Sequence, residues 1–224
     1  MSGDWLTVHA LRKRWKPHKE RLQAAYPNHP TVIRLHRALS WLERCEACGD
    51  GDDLDLQMVC LWIAFNGLYG RWDTDRREPQ PDRPCWRQFL DHVLAIDQTG
   101  HIRGMLEAQR QLVMDILDDP YLSSYFWEDP GDVRAGKSKK AKFDARTWYL
   151  DGNWPMILDR VVERIYLLRC QLVHGAATHN SSLNRTSLRR CIPMLRHLLN
   201  AVLLVMIDHG ADEDWGAMCY PPIG

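Results

Sequence analysis

Apolar positions recur at steps of three and four along most of the chain, the spacing that lines one face of a helix. In "HPTVIRLHRALSWLERC", Val32, His36, Leu39, Leu42 and Cys45 share such a stripe. "LDLQMVCLWIAFNGLYGRW" is apolar nearly all round from Leu56 to Leu68, which predicts a central buried helix. "CWRQFLDHVLAID" and "HIRGMLEAQRQLVMDIL" predict two amphipathic helices, with breaks at Asp119-Pro120 and "EDPGD". A long helix is predicted to open at Asn153, an N-cap residue, with Pro155 in its first turn. Its inner face carries Ile157, Val161, Ile165, Leu168 and Leu172, and Gly175 stops it. After the polar stretch "AATHNSSLN" another helix is predicted from about Thr186 to Ile207, kinked at Pro193. "ADEDWGAMCYPPIG" reads as an irregular tail, and neither a repeat nor a convincing strand is found. The expected class is all-α.

Size and composition change this picture little. The chain has 224 residues, 45% of them apolar and ten of them Trp, enough for one sizeable core. The opening "MSGDWLTVHALRKRWK" turns basic before any apolar run, so no secretory signal is expected. Leu203 to Ile207, with Ala201 and Val202 beside it, falls short of the roughly 18 residues of a membrane span. Seven cysteines, an odd number without framework spacing, fit a reduced cytosol, so a cytoplasmic protein with no membrane partner is expected. "CEAC", Cys45 to Cys48, has zinc-knuckle spacing but no second ligand pair, and no metal or other cofactor is expected.

Net charge is zero, which argues against a general nucleic-acid coat, yet the charges are segregated. Arg12, Lys13, Arg14, Lys16, Lys19 and Arg21 face only Glu20, in a basic helical arm spanning 1–29. A helical domain is expected over 30–210, interrupted by a basic loop at about 130–147, and the irregular tail fills 211–224. The acids gather in "EACGDGDDLD", Glu46 to Asp55.

The basic loop contains "GDVRAGKS", Gly131 to Ser138, which fits the phosphate-loop pattern G-x-x-x-x-G-K-[ST]. A working phosphate loop needs a buried parallel strand that delivers a glycine turn onto a helix N-terminus. Here the preceding "YLSSYFWEDP" is no such strand, and "LLVMID", Leu203 to Asp208, which resembles the magnesium-holding strand, ends a helical pattern. A basic surface loop is the expected reading.

"YLLRCQLVHGAATHNSSLNR", Tyr166 to Arg185, carries the strongest signal. It resembles the HEPN superfamily, all-helical proteins marked by R-x(4–6)-H, here Arg169 to His174. Arg87 and His92 also fit the spacing, but lie inside one helix, where five steps set the side chains about 140° apart. His174 stands at a helix end beside Gly175, where the backbone is expected to leave helical geometry and turn the imidazole back toward Arg169. "LWIAFNGLYGRW", Leu61 to Trp72, resembles the buried W-x-A-F-N-x-L-Y helix of Apea-like bacterial HEPN proteins. Where the family commonly has Asn, Asp or His after the motif arginine, this chain has Cys170.

The resemblance implies an antiparallel helical bundle with additional peripheral helices and metal-independent endoribonuclease activity, with Arg169 and His174 catalytic. It implies a homodimer whose composite site draws both residues from each copy, and 2′,3′-cyclic phosphate and 5′-hydroxyl products. A toxin or anti-phage effector restrained by an antitoxin or regulatory protein would fit. RNA carries its own nucleophile, so one proton acceptor, one proton donor and a charge-neutralising group suffice. Histidine serves either proton role near neutral pH, and arginine matches phosphate oxygens. Gln171, Asn180, Asn184 and Arg185 are candidates to hold RNA or orient His174, unless they only bond their own loop. Lys137, Lys139 and Lys140 are candidates to track the backbone, with steep salt dependence. The alternative is a HEPN-fold module that binds RNA, nucleotide or protein without cleavage.

Overall fold

The computed structural model describes residues 5–49, 53–176 and 178–221, without the side chains of 132–139. Among the described residues the chain is all-α, with ten helices and one two-residue hairpin. It divides into two compact units, and helices α3 (Leu54–Tyr69), α5 (His101–Ala108) and α10 (Arg185–Asp208) contribute residues to both.

The first unit takes in residues 5–47, 60–102 and 199–221. Helix α1 (Val8–Ala25), capped by Thr7, buries Val8, Leu11, Trp15 and Leu22, a three-four-seven spacing that keeps one face inward. It lies against α2 (Pro30–Glu46), and Arg12 grips Glu43 with both guanidinium nitrogens. The basic segment read as an arm is therefore part of the body. The inner half of α3 buries Leu61, Trp62, Ala64, Phe65 and Leu68, as expected of a helix apolar all round. Asn66 and Tyr69 in α3 both bond Asp82 Oδ1, at 3.2 and 2.9 Å, at the start of α4 (Asp82–Ile96). Asn66 thus braces α3 to α4.

Arg34 of α2 is wholly buried, and among the described residues no carboxylate bonds it. It donates instead to the carbonyls of Leu68, Gly70, Trp215 and Gly216, at 2.8 to 3.3 Å. Burial, helped by Arg71, pulls its pKa down to about 10. The tail read as irregular is irregular, but these bonds and the buried Trp215 anchor it. One strand pair escaped the sequence pattern: β1 (Trp72–Asp73) runs antiparallel to β2 (Glu78–Pro79). Two residues are too few to show a period of two. Asp208, of the resembling magnesium strand, lies in α10 and is held by Arg14 at 2.6 Å and His101 at 3.0 Å.

The second unit takes in residues 48–49, 53–59, 103–176 and 178–198. Helices α5 (His101–Ala108) and α6 (Arg110–Asp118) were expected as one, and meet at Gln109, where φ −97° and ψ 19° bend the axis. A 3-10 turn (Pro120–Leu122) leads to α7 (Ser124–Glu128), α8 (Asp132–Leu150) and α9 (Trp154–Val173). Helices α6, α8 and α9 pack on one another around Val113, Leu117, Ala145, Leu158 and Val162.

The expected basic loop is corrected: 132–150 is helix α8, which opens directly after Gly131. The segment is rich in helix-favouring Ala, Lys and Arg, and only Gly136 argues against. Among the described residues the element just before it is helix α7 rather than a strand, and Gly136 and Lys137 fall within α8, which is not phosphate-loop geometry. By length and composition α10 is apolar enough to cross a membrane, with a mean hydropathy of 1.6 over its best window. That window is 72% buried by protein, which suits a core helix equally well.

Candidate active site

Helix α9 ends where the motif lies. Asn153 Oδ1 accepts the Met156 N–H at 3.3 Å and Pro155 occupies the first turn, as expected. Ile157, Val161, Ile165 and Leu168 are fully buried and fix the helix rotation. At the far end Gly175 takes φ +70°. Its N–H reaches the Leu172 carbonyl at 3.2 Å, and the Ala176 N–H reaches the Gln171 carbonyl at 2.8 Å. This pair of bonds is a Schellman stop, and it places the glycine in the left-handed region.

The expected turn-back of His174 is corrected. Its N–H still bonds the Cys170 carbonyl at 2.9 Å, with φ −88° and ψ 9°, so the chain reverses one residue later. Glycine tolerates that reversal and histidine does not need to make it. Arg169 and His174 therefore keep their helical separation of about 140° around the axis. Among the described residues no hydrogen bond joins them.

Each nevertheless keeps exposed surface. His174 is exposed. Arg169 is half-buried, over the Tyr166 ring at 5.9 Å and 3.9 Å from Cys170 Sγ. On the same helix Arg160 bonds Glu163 and Arg164 bonds the Asp119 carbonyl. Among the described residues no carboxylate engages Arg169.

A cleft of about 510 Å³ adjoins the end of α9. It brings together three of the residues expected to bind substrate, Gln171, Asn184 and Arg185. Their groups are partly spent. Gln171 Nε2 donates to the Tyr121 carbonyl at 2.8 Å, and Arg185 meets both oxygens of Asp55 at 2.6 Å. Asn180 stands outside the cleft and gives its backbone N–H to Asp55 at 2.9 Å. Both asparagines have positive φ, 56° and 61°, the turn role these residues tolerate. Lys140 lines a separate hollow with Tyr125 and Arg160. The Lys137 and Lys139 side chains lie outside the described residues.

Tyr121, Trp127 and Arg190 also line the cleft and carried no pattern of their own, and Asp119 was legible only as a helix break. Asp119 is buried, accepting from the Tyr121 N–H at 3.0 Å and Ser187 Oγ at 2.7 Å, with Arg190 at 3.7 Å. The available signal was "YLSSYFW", four aromatic residues just after the helix break at Asp119-Pro120.

Asp53, Asp55 and His179 are the one group of ligand type within reach of a single cation among the described residues. Its carboxylates are already occupied. Asp53 caps α3 through the Leu56 N–H at 2.9 Å and takes His179 at 3.2 Å, while Asp55 holds Arg185. The Leu56 N–H foremost, and His179 after it, hold the Asp53 carboxyl below its ordinary range, against the effect of burial. The group reads as a latch on the 178–185 loop.

The chain matches no family model, no curated protein and no solved structure.

Proposed function

We propose that the protein is a metal-independent endoribonuclease of the HEPN type, acting as a homodimer. The observation that carries the reading is the state of the motif at the end of α9. An exposed His174 and a half-buried Arg169, with no carboxylate on it among the described residues, flank one helix end, too far apart around the axis to serve one phosphate in a single chain. A twofold axis beside α9 would set each His174 near the partner's Arg169, completing a site that neither copy holds alone.

In that site one imidazole takes the proton of the ribose 2′-hydroxyl as its oxygen attacks phosphorus. The other imidazole, protonated, gives its proton to the departing 5′-oxygen. The P–O5′ bond breaks, leaving a 2′,3′-cyclic phosphate and a 5′-hydroxyl. The guanidiniums neutralise the phosphorane between them. Each proton transfer contributes on the order of 10²- to 10⁴-fold. A role as toxin or anti-phage effector belongs to the same reading.

Cys170 and the separation of Arg169 from His174 in one chain favour a second reading, a binding module of the same fold without cleavage. His174→Ala separates the two. It abolishes RNA cleavage in the first and only alters binding in the second. Light scattering tests the dimer, and a strictly monomeric protein would sink the composite site.

A further inference from the structure

The cleft beside α9 carries features that a phosphate track does not require. Tyr121 and Trp127 are 52% and 49% exposed, a large area of ring to leave in water. Neither ring is loose. Trp127 Nε1 donates to the Tyr121 carbonyl at 2.9 Å, and Phe126 stands edge-on to each ring at 5.2 Å. Between them the cleft presents flat, pre-positioned aromatic surface, at little further cost in side-chain ordering.

Among its polar groups are three carboxylates, Asp115, Asp118 and Asp119. Asp115 engages Gln111 through Oδ1 and Asp118 engages Lys142 through Oδ2, both at 2.9 Å. Among the described residues the second oxygen of each carboxylate has no partner. The buried Asp119 adds a third carboxylate, faced by Arg190 at 3.7 Å, and Arg185 is already committed to Asp55. The second oxygens of Asp115 and Asp118 suit an N–H-bearing edge better than a phosphate. A volume of about 510 Å³ is within the usual range for a small-molecule site and too small for a helix.

We propose that this cleft is a nucleobase subsite for single-stranded RNA, taking a base with an exocyclic amino group: guanine, adenine or cytosine. The base stacks on Trp127 and Tyr121 and directs its amino group to Asp115 or Asp118. The attached phosphodiester then lies outside the carboxylates, toward the end of α9. There His174 shares a helix side with the cleft-lining Gln171, three residues and about 60° away. Arg169 faces elsewhere, so the arginine serving that phosphate is the partner copy's. The assignment rests on the ribonuclease reading for the polymer and for the role of His174, but not for the binding of the base.

The test is calorimetric titration of the full chain with 5′-GMP, AMP, CMP and UMP, and with ribose 5-phosphate. The first three bind, UMP binds several-fold more weakly, and ribose 5-phosphate gives no heat. Trp127→Ala weakens GMP about tenfold or more, the scale of one base-aromatic stack. Trp127→Phe loses the Tyr121 bond but keeps a ring face, and stays within about threefold. No GMP binding, or equal binding by the parent and by Trp127→Ala with its helical content retained, would overturn the proposal. Equal affinity for UMP and GMP would overturn the assignment to amino-bearing bases. GMP binding through Trp127 beside intact RNA would sink the ribonuclease and keep the cleft. RNA cleavage that ignores Trp127 would do the reverse.

Discussion

Replacing Asp55 by Ala should destabilise the second unit far more than removal of an ordinary surface ion pair. Asp55 and Arg185 are each only 14% exposed, and one guanidinium nitrogen lies 2.6 Å from both carboxylate oxygens. Asp55 also accepts the Asn180 N–H, and Arg185 Nε is buried without a partner. Removing the carboxylate strands a mostly buried cation and frees the Asn180 N–H to water. Truncating one side of a buried pair costs about 3–5 kcal/mol, and the residual exposure places this one nearer 3. For a chain of this size that is a fall in Tm of about 6–12 °C. Arg185→Leu in the Asp55→Ala background should recover part of the loss, because the stranded charge is gone. Urea titrations of the four proteins, followed by far-UV circular dichroism, give the coupling term. Additive losses, or an Asp55→Ala loss under about 0.5 kcal/mol, would refute the latch. The 178–185 loop would then owe its position to something else.

Other substitutions probe separate parts of the account. Arg34→Met leaves buried carbonyls at Leu68, Gly70, Trp215 and Gly216 without their donor. It should cost about 3 kcal/mol and open the 215–221 segment to limited proteolysis; an uncut tail would contradict its anchoring role. Gly175→Ala meets no neighbouring atom but must adopt φ +70°, so it should cost about 1 kcal/mol, read from the urea midpoint. No loss would mean that the left-handed stop is not formed. The Asp53 carboxyl is held below its unfolded value of about 3.9, so its contribution is complete above that pH and disappears as pH falls through the depressed value. Asp53→Asn should therefore narrow its stability deficit against the parent between pH 5 and pH 3; a constant deficit would argue against the shift.

What was legible in the sequence was local. Asn153, Pro155 and Gly175 define α9 because capping and helix termination depend on a few adjacent residues, and the all-round apolar α3 announces its own burial. Gly131 and Gly136 misled the reading of 130–147, since a run of good helix formers outweighs one interior glycine. The cleft was not legible. It joins residues 115–127 to 171–190, and its latch bond spans 130 positions from Asp55 to Arg185. No periodicity encodes contacts of that kind. The motif pair shows both sides of this. Its place at the helix end follows from Gly175, but the failure of His174 to turn back follows from which residue takes the left-handed conformation.

The central claim is tested most directly by the ends of RNA fragments. The protein and its His174→Ala variant are incubated in EDTA with bulk cellular RNA and defined tRNAs, and the termini are analysed. The account predicts 2′,3′-cyclic phosphate and 5′-hydroxyl ends from the parent alone. Intact RNA from a folded, dimeric parent, or equal cleavage by the variant, would contradict it.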